Sequence, residues 1–485
     1  MAGLQPYVPV LRPVLEFHLS HPRGLGALAD WPHSGAAGGA ACGDLVRIAV
    51  RVEGDTVVEA GFDAEGCGAA RAAGSAVVEL VEGAAFIDAA RVTIDDVAGA
   101  LGGLVPPKRH AAQLASDALH RALGAAARAG APRLEPSARR TLVAVSGGVD
   151  SAAAAQLALD AGDEVIAVTL ELWADPATDG ERSCCSPQAV TGARDLAHGM
   201  GLPHVTLDLR ERFRAEVVEH FLDGYATGQT PNPCVRCNGQ VRFDAMLDLA
   251  EALGAARLAT GHYARIERDE HGPLVRAAAD AHKDQSYMLA KLEPAALELL
   301  SFPLGGLTKD AVRALARDAG LPVADKRESQ DLCFVAGLGG RAFLQRHGGP
   351  RLRRAGEIVD RDGRVLGSHD GQHNFTVGQR RGLRLSSKRP LYVLDKDAET
   401  GRVTVGPREA LETTRVRLER ARLHRGAEAV DTVKLRYRSE PIPCRVVDTS
   451  GQLDLELERP ATAVAPGQLA CLMRGDCVVG EGIIA

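Results

Sequence analysis

Three of the ten cysteines in this chain of 485 residues lie in patterns that could carry out sulfur or metal chemistry. Cys234 and Cys237 form a CxxC within TPNPCVRCN, and Cys333 follows in the later segment ESQDLCF. A thiolate is a strong nucleophile, and thiolates together bind zinc or an iron–sulfur cluster. In a reducing compartment, cysteines are more often thiols, metal ligands or sulfur carriers than structural disulfides. These residues therefore predict sulfur transfer or metal binding.

A glycine-rich stretch provides a second chemical pattern. The apolar run 142–145 ends in SGGVDS, Ser146 to Ser151, which passes directly into an Ala-rich helical segment. Paired glycines turn the backbone tightly and direct N–H groups into one concavity, and the helix N-terminus adds positive potential, so the stretch predicts a phosphate site. No GK[ST] follows the glycines, so the lysine of a P-loop is missing. The alternative is an ordinary strand-to-helix turn with a Ser or Asp cap.

The N-terminal 130 residues contain further possible ligands. Cys42 and Asp44 lie in ACGD, Cys67 lies in EGCG and His110 lies in KRHAA. Two cysteines, a carboxylate and an imidazole could hold one tetrahedral metal ion. Hydrophobic periodicity predicts a strand hairpin and two helices in this region, over 47–62, 69–81 and 111–127.

The order of these segments resembles the NifU/IscU-type iron–sulfur scaffolds. The resemblance implies an α+β unit in which Cys42, Asp44, Cys67 and His110 hold a nascent cluster or zinc. That family has a further cysteine after the histidine, where this chain has Ala111. The alternative is therefore a degenerate unit that only docks a sulfur donor or the catalytic part of the chain.

Element patterns predict an α/β fold with additional smaller units. Apolar strands alternate with helical segments after a Pro- and Arg-containing linker over 126–140, which predicts a doubly wound parallel sheet with ligand sites at the carboxyl ends of its strands. Beyond residue 345, short strands separated by Gly, Asp and Pro predict a small linking domain and a C-terminal β-barrel. The predicted domains are 1–130, 138–345, 346–411 and 412–485.

Charge and hydropathy limit the partners. The net charge of −6 argues against indiscriminate nucleic-acid binding, yet residues 341–440 contain 23 Lys and Arg against 13 Asp and Glu. A basic surface in an acidic protein suits a specific polyanion on one face, or is simply a solvated charged face. No signal peptide or apolar run of about 18 residues is present, so we expect a cytoplasmic protein that does not span a membrane.

Several motifs in fixed order resemble tRNA-specific 2-thiouridylases of the ATP pyrophosphatase superfamily. They are SGGVDS, TPNPCVRCN, ATGHYA, KDQSY, ESQDLCF, GQHNFTVGQRRGL, KLRYR and APGQL. The resemblance covers about residues 141–485. It implies that ATP adenylates the C2 oxygen of the wobble uridine of tRNA, that pyrophosphate leaves, and that sulfur from a donor such as a cysteine desulfurase or relay protein replaces the oxygen.

The resemblance also assigns residues to these steps. ATP would be contacted by Ala144, Val145, Ser146, Gly147, Gly148, Val149, Asp150, Ser151, Leu170 and Gly261. The target base would be surrounded by Asn232, Pro233 and Cys234. The tRNA would be contacted by His262, Lys283, Asp284, Gln285, Arg436, Tyr437 and Gln468. Asp150 would hold Mg²⁺, and the exposed basic run Arg380, Arg381, Arg384, Lys388 and Arg389 would follow the RNA backbone.

The cysteines allow three hypotheses for the sulfur-transfer step. Cys237 would be the nucleophile and Cys333 the persulfide carrier, the two closing a disulfide that a reductant reopens. Alternatively, Cys234, Cys237 and Cys333 would bind three irons of a [4Fe-4S] cluster whose fourth iron takes hydrosulfide. A structural zinc site is the third reading. Cys184 and Cys185 could take part, whereas Cys444, Cys471 and Cys477 are predicted to be buried small hydrophobes.

Two other functions fit parts of the sequence. One is a different adenylating enzyme of the same superfamily, such as an amidotransferase-like ligase, which would use ammonia and need no paired cysteines. The other is a non-catalytic iron–sulfur carrier whose C-terminal part binds RNA, and the intact SGGVDS with Cys237 and Cys333 argues against it.

Overall fold

A computed structural model describes most of the chain. The described residues are 12–26, 31–38, 43–175, 187–327, 332–335, 338–449 and 452–485. Cys42, Cys184 and Cys185, for which the sequence predicts ligand or sulfur roles, lie outside them. Within the described ranges, none of the helices combines the length and the apolar character that crossing a membrane requires.

The N-terminal unit is an antiparallel three-stranded sheet covered by helices. Its elements are α1 (Arg12–Ser20), β1 (His33–Gly38), β2 (Leu45–Glu53), β3 (Thr56–Glu65), α2 (Gly68–Val81), α3 (Phe86–Ala89), α4 (Ile94–Ala100) and α5 (Arg109–Arg128). The strands pair in the order β1-β2-β3, and α2 and α5 pack on one face through small side chains, mostly alanine. The α+β prediction is confirmed, and the linker is shorter than expected because α5 continues to Arg128 and the next strand starts at Ser137.

The central unit is the doubly wound parallel sheet that the sequence predicts. The strands of the sheet are β4 (Ser137–Ala144), β5 (Glu164–Glu171), β6 (His204–Asp208), β7 (Ala255–Thr260) and β10 (Leu300–Ser301). Between β7 and β10 lies a hairpin of β8 (Ala264–Asp269) and β9 (Gly272–Ala277) that belongs to another sheet. The helices of the unit are α6 (Val149–Asp160), α7 (Pro187–Gly199), α8 (Arg210–Phe213), α9 (Glu219–Ala226), α10 (Pro233–Cys237), α11 (Phe243–Ala252), α12 (Pro294–Leu297), α13 (Lys309–Asp318) and α14 (Gly340–His347). The sheet order is β10-β7-β4-β5-β6, so β4 lies in its centre.

One segment that the sequence predicts as a single strand forms two strands in the structure. The segment ARLATGHYARI leaves the parallel sheet after Thr260, and Ala264 begins β8, which pairs antiparallel with β9. The break lies at Gly261, where a Cβ atom would come within 2.8 Å of the backbone of Asp150 and Ser151. This close approach of two backbones requires glycine and ends the strand beside the SGGVDS segment, Ser146 to Ser151, which we call the phosphate loop.

The C-terminal part is β structure in two bodies. The smaller sheet, in the order β12-β11-β14-β13, contains β11 (Gly356–Val359), β12 (Val365–His369), β13 (Tyr392–Lys396) and β14 (Val403–Gly406). The barrel contains β15 (Glu412–Leu423), β16 (Thr432–Lys434), β17 (Ile442–Thr449), β18 (Gln452–Thr462), β19 (Leu469–Arg474) and β20 (Cys477–Ile484). It closes because β15 pairs with both β18 and β20, and the β8–β9 hairpin adds to β20.

The predicted strand VKLRYR is wrong beyond Lys434. The chain turns at Arg436–Ser439, where the Ser439 N–H donates to the Arg436 carbonyl at 3.1 Å and the Arg436 N–H donates to Ser439 Oγ at 3.3 Å. The turn directs Tyr437 out of the barrel wall and towards the cysteines described below.

A tight seam joins the N-terminal unit to strand β6 at the edge of the parallel sheet. Helix α5 lies against β6, and a Cβ atom on Gly124 would come within 1.7 Å of the Thr206 carbonyl oxygen. The fully buried His120 contacts the carbonyl oxygen of His204 through Nδ1 at 2.9 Å, and Arg194 pairs with Asp117. The two units therefore share one buried interface rather than a flexible tether.

Candidate active site

The phosphate loop has the geometry that its sequence predicts. Gly147 adopts φ +71°, and Gly148 is the N-terminal cap of α6. The Ser146 N–H donates to Ser151 Oγ at 3.1 Å, and that hydroxyl donates to the Gly148 carbonyl at 3.1 Å. The serine therefore closes the loop on itself at the carboxyl end of the central strand, where ligands bind in this class of fold.

A cavity of about 220 Å³ opens in front of this loop. Most of the predicted ATP contacts line it, namely Ala144, Val145, Ser146, Asp150, Ser151, Leu170 and Gly261. Gly147, Gly148 and Val149 do not line it: the glycines form the backbone turn, and the Val149 side chain is buried in the core between α6 and the sheet. The mixed polar and apolar walls of the cavity and its position in front of the loop suit the binding of a nucleotide.

A second cavity, of about 260 Å³, contains the cysteines. Cys234, Cys237 and Cys333 all line it, together with Pro233 and Tyr437. Cys234 and Cys237 are three residues apart on α10, so their side chains share one face of that helix. The structure thus brings the CxxC and the distant Cys333 to one place.

Asn232 and Pro233 begin the helix that presents the CxxC. The Asn232 side-chain oxygen accepts hydrogen bonds from the N–H groups of Cys234 at 3.1 Å and Val235 at 3.3 Å, and Pro233 occupies the first helical position. This is the usual start of a helix, in which an amide caps the first turn and proline needs no hydrogen-bond acceptor. Asn232 therefore positions the cysteines whether or not it also contacts a base.

Cys333 is anchored by its neighbour Phe334. The Phe334 ring is buried and lies 4.9 Å from the ring centroid of Phe343, 5.4 Å from that of Phe221 and 5.7 Å from that of Phe213. Such edge-to-face clusters hold a short segment firmly. The aromatic residue after the cysteine therefore fixes the thiol at the wall of the cavity.

Three side chains line both cavities: Arg242, His262 and Gln285. His262 Nδ1 lies 2.8 Å from Thr260 Oγ1, and burial, followed by the nearby Arg242 guanidinium, lowers the pKa of His262 to about 3. The imidazole is therefore neutral at physiological pH. Gln285 accepts a hydrogen bond from the Tyr263 N–H through its side-chain oxygen at 2.9 Å.

Arg242 is a candidate active-site residue that the sequence analysis did not predict. It lies five residues after Cys237, at the end of a π-helical turn over Asn238–Arg242. That wider turn rotates the arginine towards the region between the two cavities. A basic residue five positions after the CxxC is the only trace of this role in the sequence.

The other predicted tRNA residues lie outside both cavities, except Tyr437. The Asp284 carboxylate accepts hydrogen bonds from the Ala278 and Ser286 N–H groups and pairs with Lys434 at 3.2 Å. Arg436 donates to the Ala463 carbonyl and Gln468 donates to the Thr230 carbonyl. Lys283 lies half-buried beside Asp284. In this conformation Asp284 and Gln468 hold loops together, so a contact with tRNA would require these bonds to open.

The described N-terminal ligands form one cluster. Ligand atoms of Asp44, Cys67 and His110 all lie within 4.8 Å of one another. The N–H of Cys67 and the imidazole of His110 hold the pKa of Asp44 below its usual range. His110 Nε2 lies 2.9 Å from the Asp44 carboxylate, while Nδ1 lies 2.9 Å from the Pro107 carbonyl oxygen. A carbonyl at the second ring nitrogen fixes the orientation of the imidazole, as is usual for histidines that bind metals.

The remaining described cysteines lie in the barrel. Cys444 and Cys471 are buried, and burial raises the pKa of each thiol to about 12. Cys477 is half-buried at the start of β20. Cys444 and Cys471 are therefore the buried small residues that the sequence predicts, and Cys477 is more exposed than expected.

Comparison with known families agrees with this architecture. Residues 12–128 match the family described as NifU-like N terminal domain, and residues 139–337 match the tRNA methyl transferase HUP domain. Residues 341–407 match the tRNA methyl transferase PRC-barrel domain, and residues 392–484 match the aminomethyltransferase beta-barrel domain.

One relative matches nearly the whole chain, and others match about 70% of it. The chain is 45% identical over 481 residues to the "Bifunctional protein NifU/MnmA" of Rubrobacter xylanophilus, covering 96% of this chain and 97% of the relative. It is 44% identical over 362 residues to the "tRNA-specific 2-thiouridylase MnmA" of Rhodospirillum centenum, covering 72% of this chain and 92% of the relative. The corresponding protein of Methylorubrum extorquens is 46% identical over 351 residues, covering 70% of this chain and 91% of the relative.

Proposed function

This chain belongs to the family of bifunctional NifU/MnmA proteins, tRNA-specific 2-thiouridylases preceded by a NifU-like domain, and from this membership we propose how it works. ATP binds at the phosphate loop, the wobble uridine of a cytoplasmic tRNA enters the cleft beside it, and sulfur replaces the C2 oxygen. The single observation that carries this proposal is that Arg242, His262 and Gln285 line both the cavity in front of the phosphate loop and the cavity that contains the cysteines.

Adenylation makes the C2 carbon of uracil reactive. The C2 oxygen attacks the α-phosphorus of ATP, the bond to the bridging oxygen of the β-phosphate breaks, and its electron pair leaves with pyrophosphate while the N3 proton passes to water. Arg242 lies where the new AMP group would sit, between the cavities, and a guanidinium there would stabilise its negative charge. The neutral His262 can donate or accept one hydrogen bond there without adding a charge.

The persulfide route uses Cys333 and Cys237. The outer sulfur of a Cys333 persulfide attacks C2, and AMP leaves with its bonding electron pair. The Cys237 thiolate then attacks the inner sulfur, which releases 2-thiouridine and forms a Cys237–Cys333 disulfide that an external dithiol must reduce. Both cysteines line one cavity, as this route requires.

A [4Fe-4S] cluster also fits the donor set of this cavity. Cys234, Cys237 and Cys333 would hold three irons, and the fourth would offer bound hydrosulfide as the sulfur source. Structural zinc on the same cysteines is the remaining reading. In the N-terminal unit, Asp44, Cys67 and His110, with Cys42, would hold a cluster or a zinc ion and would supply or dock the sulfur source.

In this structure a lysine occupies the carboxylate to which the sequence analysis assigns Mg²⁺. Both oxygens of the Asp150 carboxylate accept hydrogen bonds from the Lys309 ammonium, at 2.7 and 2.8 Å, and the Tyr263 hydroxyl donates to one of them at 2.8 Å. A metal ion at this carboxylate would have to displace a cation that is already there. We therefore assign no step to an Asp150-bound metal.

An exposed run of basic residues between β12 and β13 of the smaller sheet would bind the phosphates of the tRNA backbone. Arg380, Arg381, Arg384, Lys388 and Arg389 are all exposed, and among the described residues none of the five takes part in an ion pair. Cations without a protein carboxylate beside them remain available for phosphate. Together with Tyr437 at the mouth of the cysteine cavity, they would orient the anticodon arm towards the cleft.

Mass analysis of tRNA nucleosides tests the proposal. Wild-type protein with ATP, a sulfur source and tRNA should produce 2-thiouridine, whereas Cys237→Ala and Cys333→Ala should not, and Cys444→Ala serves as the matched control. Retained thiolation in both variants would contradict the mechanism. Full activity of iron-free protein would exclude the cluster, and an ammonia-derived product would indicate an amidotransferase-like ligase. Absence of tRNA-dependent pyrophosphate release would favour a non-catalytic carrier.

A further inference from the structure

Two lysines reach the phosphate loop from a distant part of the chain. Lys309 is the first residue of α13, and its Nζ lies 2.7 and 2.8 Å from the two carboxylate oxygens of Asp150. Lys326 donates from its Nζ to the Gly147 carbonyl at 2.8 Å. The loop's own sequence lacks the lysine by which P-loops hold phosphate. The structure thus provides two lysines at a loop that has none of its own.

Lys309 is held by several contacts. Its side chain is only 11% exposed, and its backbone N–H donates to the Asp280 carboxylate at 3.1 Å. Thr308 caps the helix that starts at Lys309, and the Tyr263 ring lies 5.8 Å from the ammonium group. Burying an ammonium group without partners is energetically unfavourable. The contacts with Asp150 and with the Tyr263 ring therefore stabilise the Lys309 charge beside the loop.

Charge explains why a cation is needed at this position. Asp150 is in the first turn of α6 and its carboxylate lines the cavity where the phosphates would lie, so alone it would repel them. The Lys309 ammonium neutralises that carboxylate through contacts of 2.7 and 2.8 Å, although Lys309 does not itself line the cavity. An ammonium group has three rotatable N–H donors on a flexible stem, so it can exchange a carboxylate for a phosphate oxygen.

We infer that Lys309, supported by Lys326, is the group that binds the β- and γ-phosphates of ATP and stabilises the pyrophosphate as it leaves. The inference deepens the proposed function and rests on it. When the bond between the α-phosphorus and its bridging oxygen breaks, the electron pair stays on pyrophosphate, and the ammonium groups offset the added charge. Asp150 holds Lys309 in place before ATP binds.

Calorimetry on the full-length protein tests this with two probes, inorganic pyrophosphate and ATP, without tRNA or a sulfur source. Lys309→Met should weaken pyrophosphate binding at least tenfold. In a separate assay with tRNA and ATP, it should slow tRNA-dependent pyrophosphate release about a hundredfold. Lys309→Arg should restore most of the binding. Arg317→Met removes a charge from the same helix, where Arg317 pairs with the exposed Asp325, and should change neither quantity.

A pair of variants separates phosphate binding from a merely structural role. Asp150→Asn should bind pyrophosphate more tightly than the wild-type protein, because a negative charge is removed from the cavity and Lys309 is released to the ligand. Each single variant leaves one buried charge without its partner and should melt at a lower temperature than the wild-type protein. The double variant Asp150→Asn/Lys309→Met leaves no such charge, so it should regain the wild-type melting temperature but not the wild-type affinity for pyrophosphate. Equal affinity in the double variant and Asp150→Asn would overturn the inference. If ATP binds through Lys309 but no tRNA is thiolated, the inference stands and the proposed function fails.

Discussion

The two cysteine-bearing sites of the molecule differ in what surrounds their sulfur atoms. In the N-terminal unit, the Cys67 thiol lies 3.2 Å from a carboxylate oxygen of Asp44, with His110 beside it. In the cleft, three cysteines lie with Arg242, the neutral His262 and several apolar and aromatic side chains. Carboxylate and imidazole are typical partners of a metal ion, whereas several thiols around one cavity, beside a second cavity for a nucleotide, suit sulfur transfer.

The difference indicates that the two sites have different functions within one chain: the N-terminal site would hold a metal and the cleft would transfer sulfur. The N-terminal cluster has one cysteine among its described ligands, so it can hold a metal but has no described second thiol for a disulfide. The cleft has the second thiol and the nucleotide cavity next to it. We therefore expect substitutions at the two sites to affect different measurements.

The largest expected effect separates the two sites directly. Cys237→Ser should lower thiolation at least about a thousandfold, because an alkoxide forms far less readily than a thiolate and cannot close the disulfide. Cys67→Ser should instead lower the metal bound per chain, measured by elemental analysis, and reduce thiolation supplied by an external persulfide donor less than about threefold. The division would be contradicted if Cys67→Ser abolished thiolation under these conditions.

Removing the charge between the two cavities should have the next largest effect. Arg242→Met keeps the length of the side chain but removes the guanidinium that faces the adenylated base. We expect kcat to fall about a hundredfold with little change in the affinity for ATP, since the charge acts mainly on the AMP group that forms during the reaction. Single-turnover pyrophosphate release measures this. Arg268→Met, which removes an exposed ion pair with Glu298, is the control.

The seam that holds the two sites in one body can also be tested. Gly124→Ala would place a methyl group 1.7 Å from the Thr206 carbonyl oxygen, so α5 would have to move away from β6. We expect the free energy of unfolding to fall by about 2 kcal/mol. Gly99→Ala is the matched control: it lies in α4 with open space around it and should be neutral or slightly stabilising. Chemical denaturation distinguishes the two.

The histidines at this seam predict a pH dependence. Burial lowers the pKa values of His120 and His204 well below 6.5 and that of His198 to about 4. The folded protein keeps them neutral while the unfolded chain takes up protons below pH 6.5, so stability is lost as the pH falls. Each buried histidine should cost up to about 1.4 kcal/mol per pH unit. His120→Gln should reduce that slope by about one proton, and an unchanged slope would contradict the assignment.

Local patterns in the sequence were sufficient for the parts of the site that follow from backbone chemistry. SGGVDS specifies a turn and a helix start by itself, and Asn232 with Pro233 specifies the helix that carries the CxxC. The order of the motifs was sufficient to predict that Cys333 lies with Cys237. The fold class followed from alternating strands and helices, and it is confirmed.

Contacts between distant segments could not be predicted in this way. Lys309 follows Thr308 as an ordinary helix-starting residue, and nothing near it in the sequence indicates Asp150 as its partner. Arg242 reaches the cavities only because a π-helical turn rotates it. Gly124 is an ordinary helical glycine until β6 packs on it. Each role depends on which surfaces meet, and such pairings leave no local periodicity.

The smallest expected effect concerns the basic run, which would serve the cleft and not the N-terminal site. Arg380→Gln/Arg381→Gln should weaken tRNA binding several-fold at about 0.1 M salt and reduce the slope of log K against log salt by roughly 2, because two phosphate contacts are lost. Arg415→Gln/Arg417→Gln is the matched control, since these barrel arginines are exposed but pair with Glu456 and Asp454. Cations already neutralised by protein carboxylates release few counterions, so the control should change the slope little. Equal slopes for the two double variants would show that exposure alone, and not the lack of a carboxylate partner, decides which arginines bind the RNA backbone.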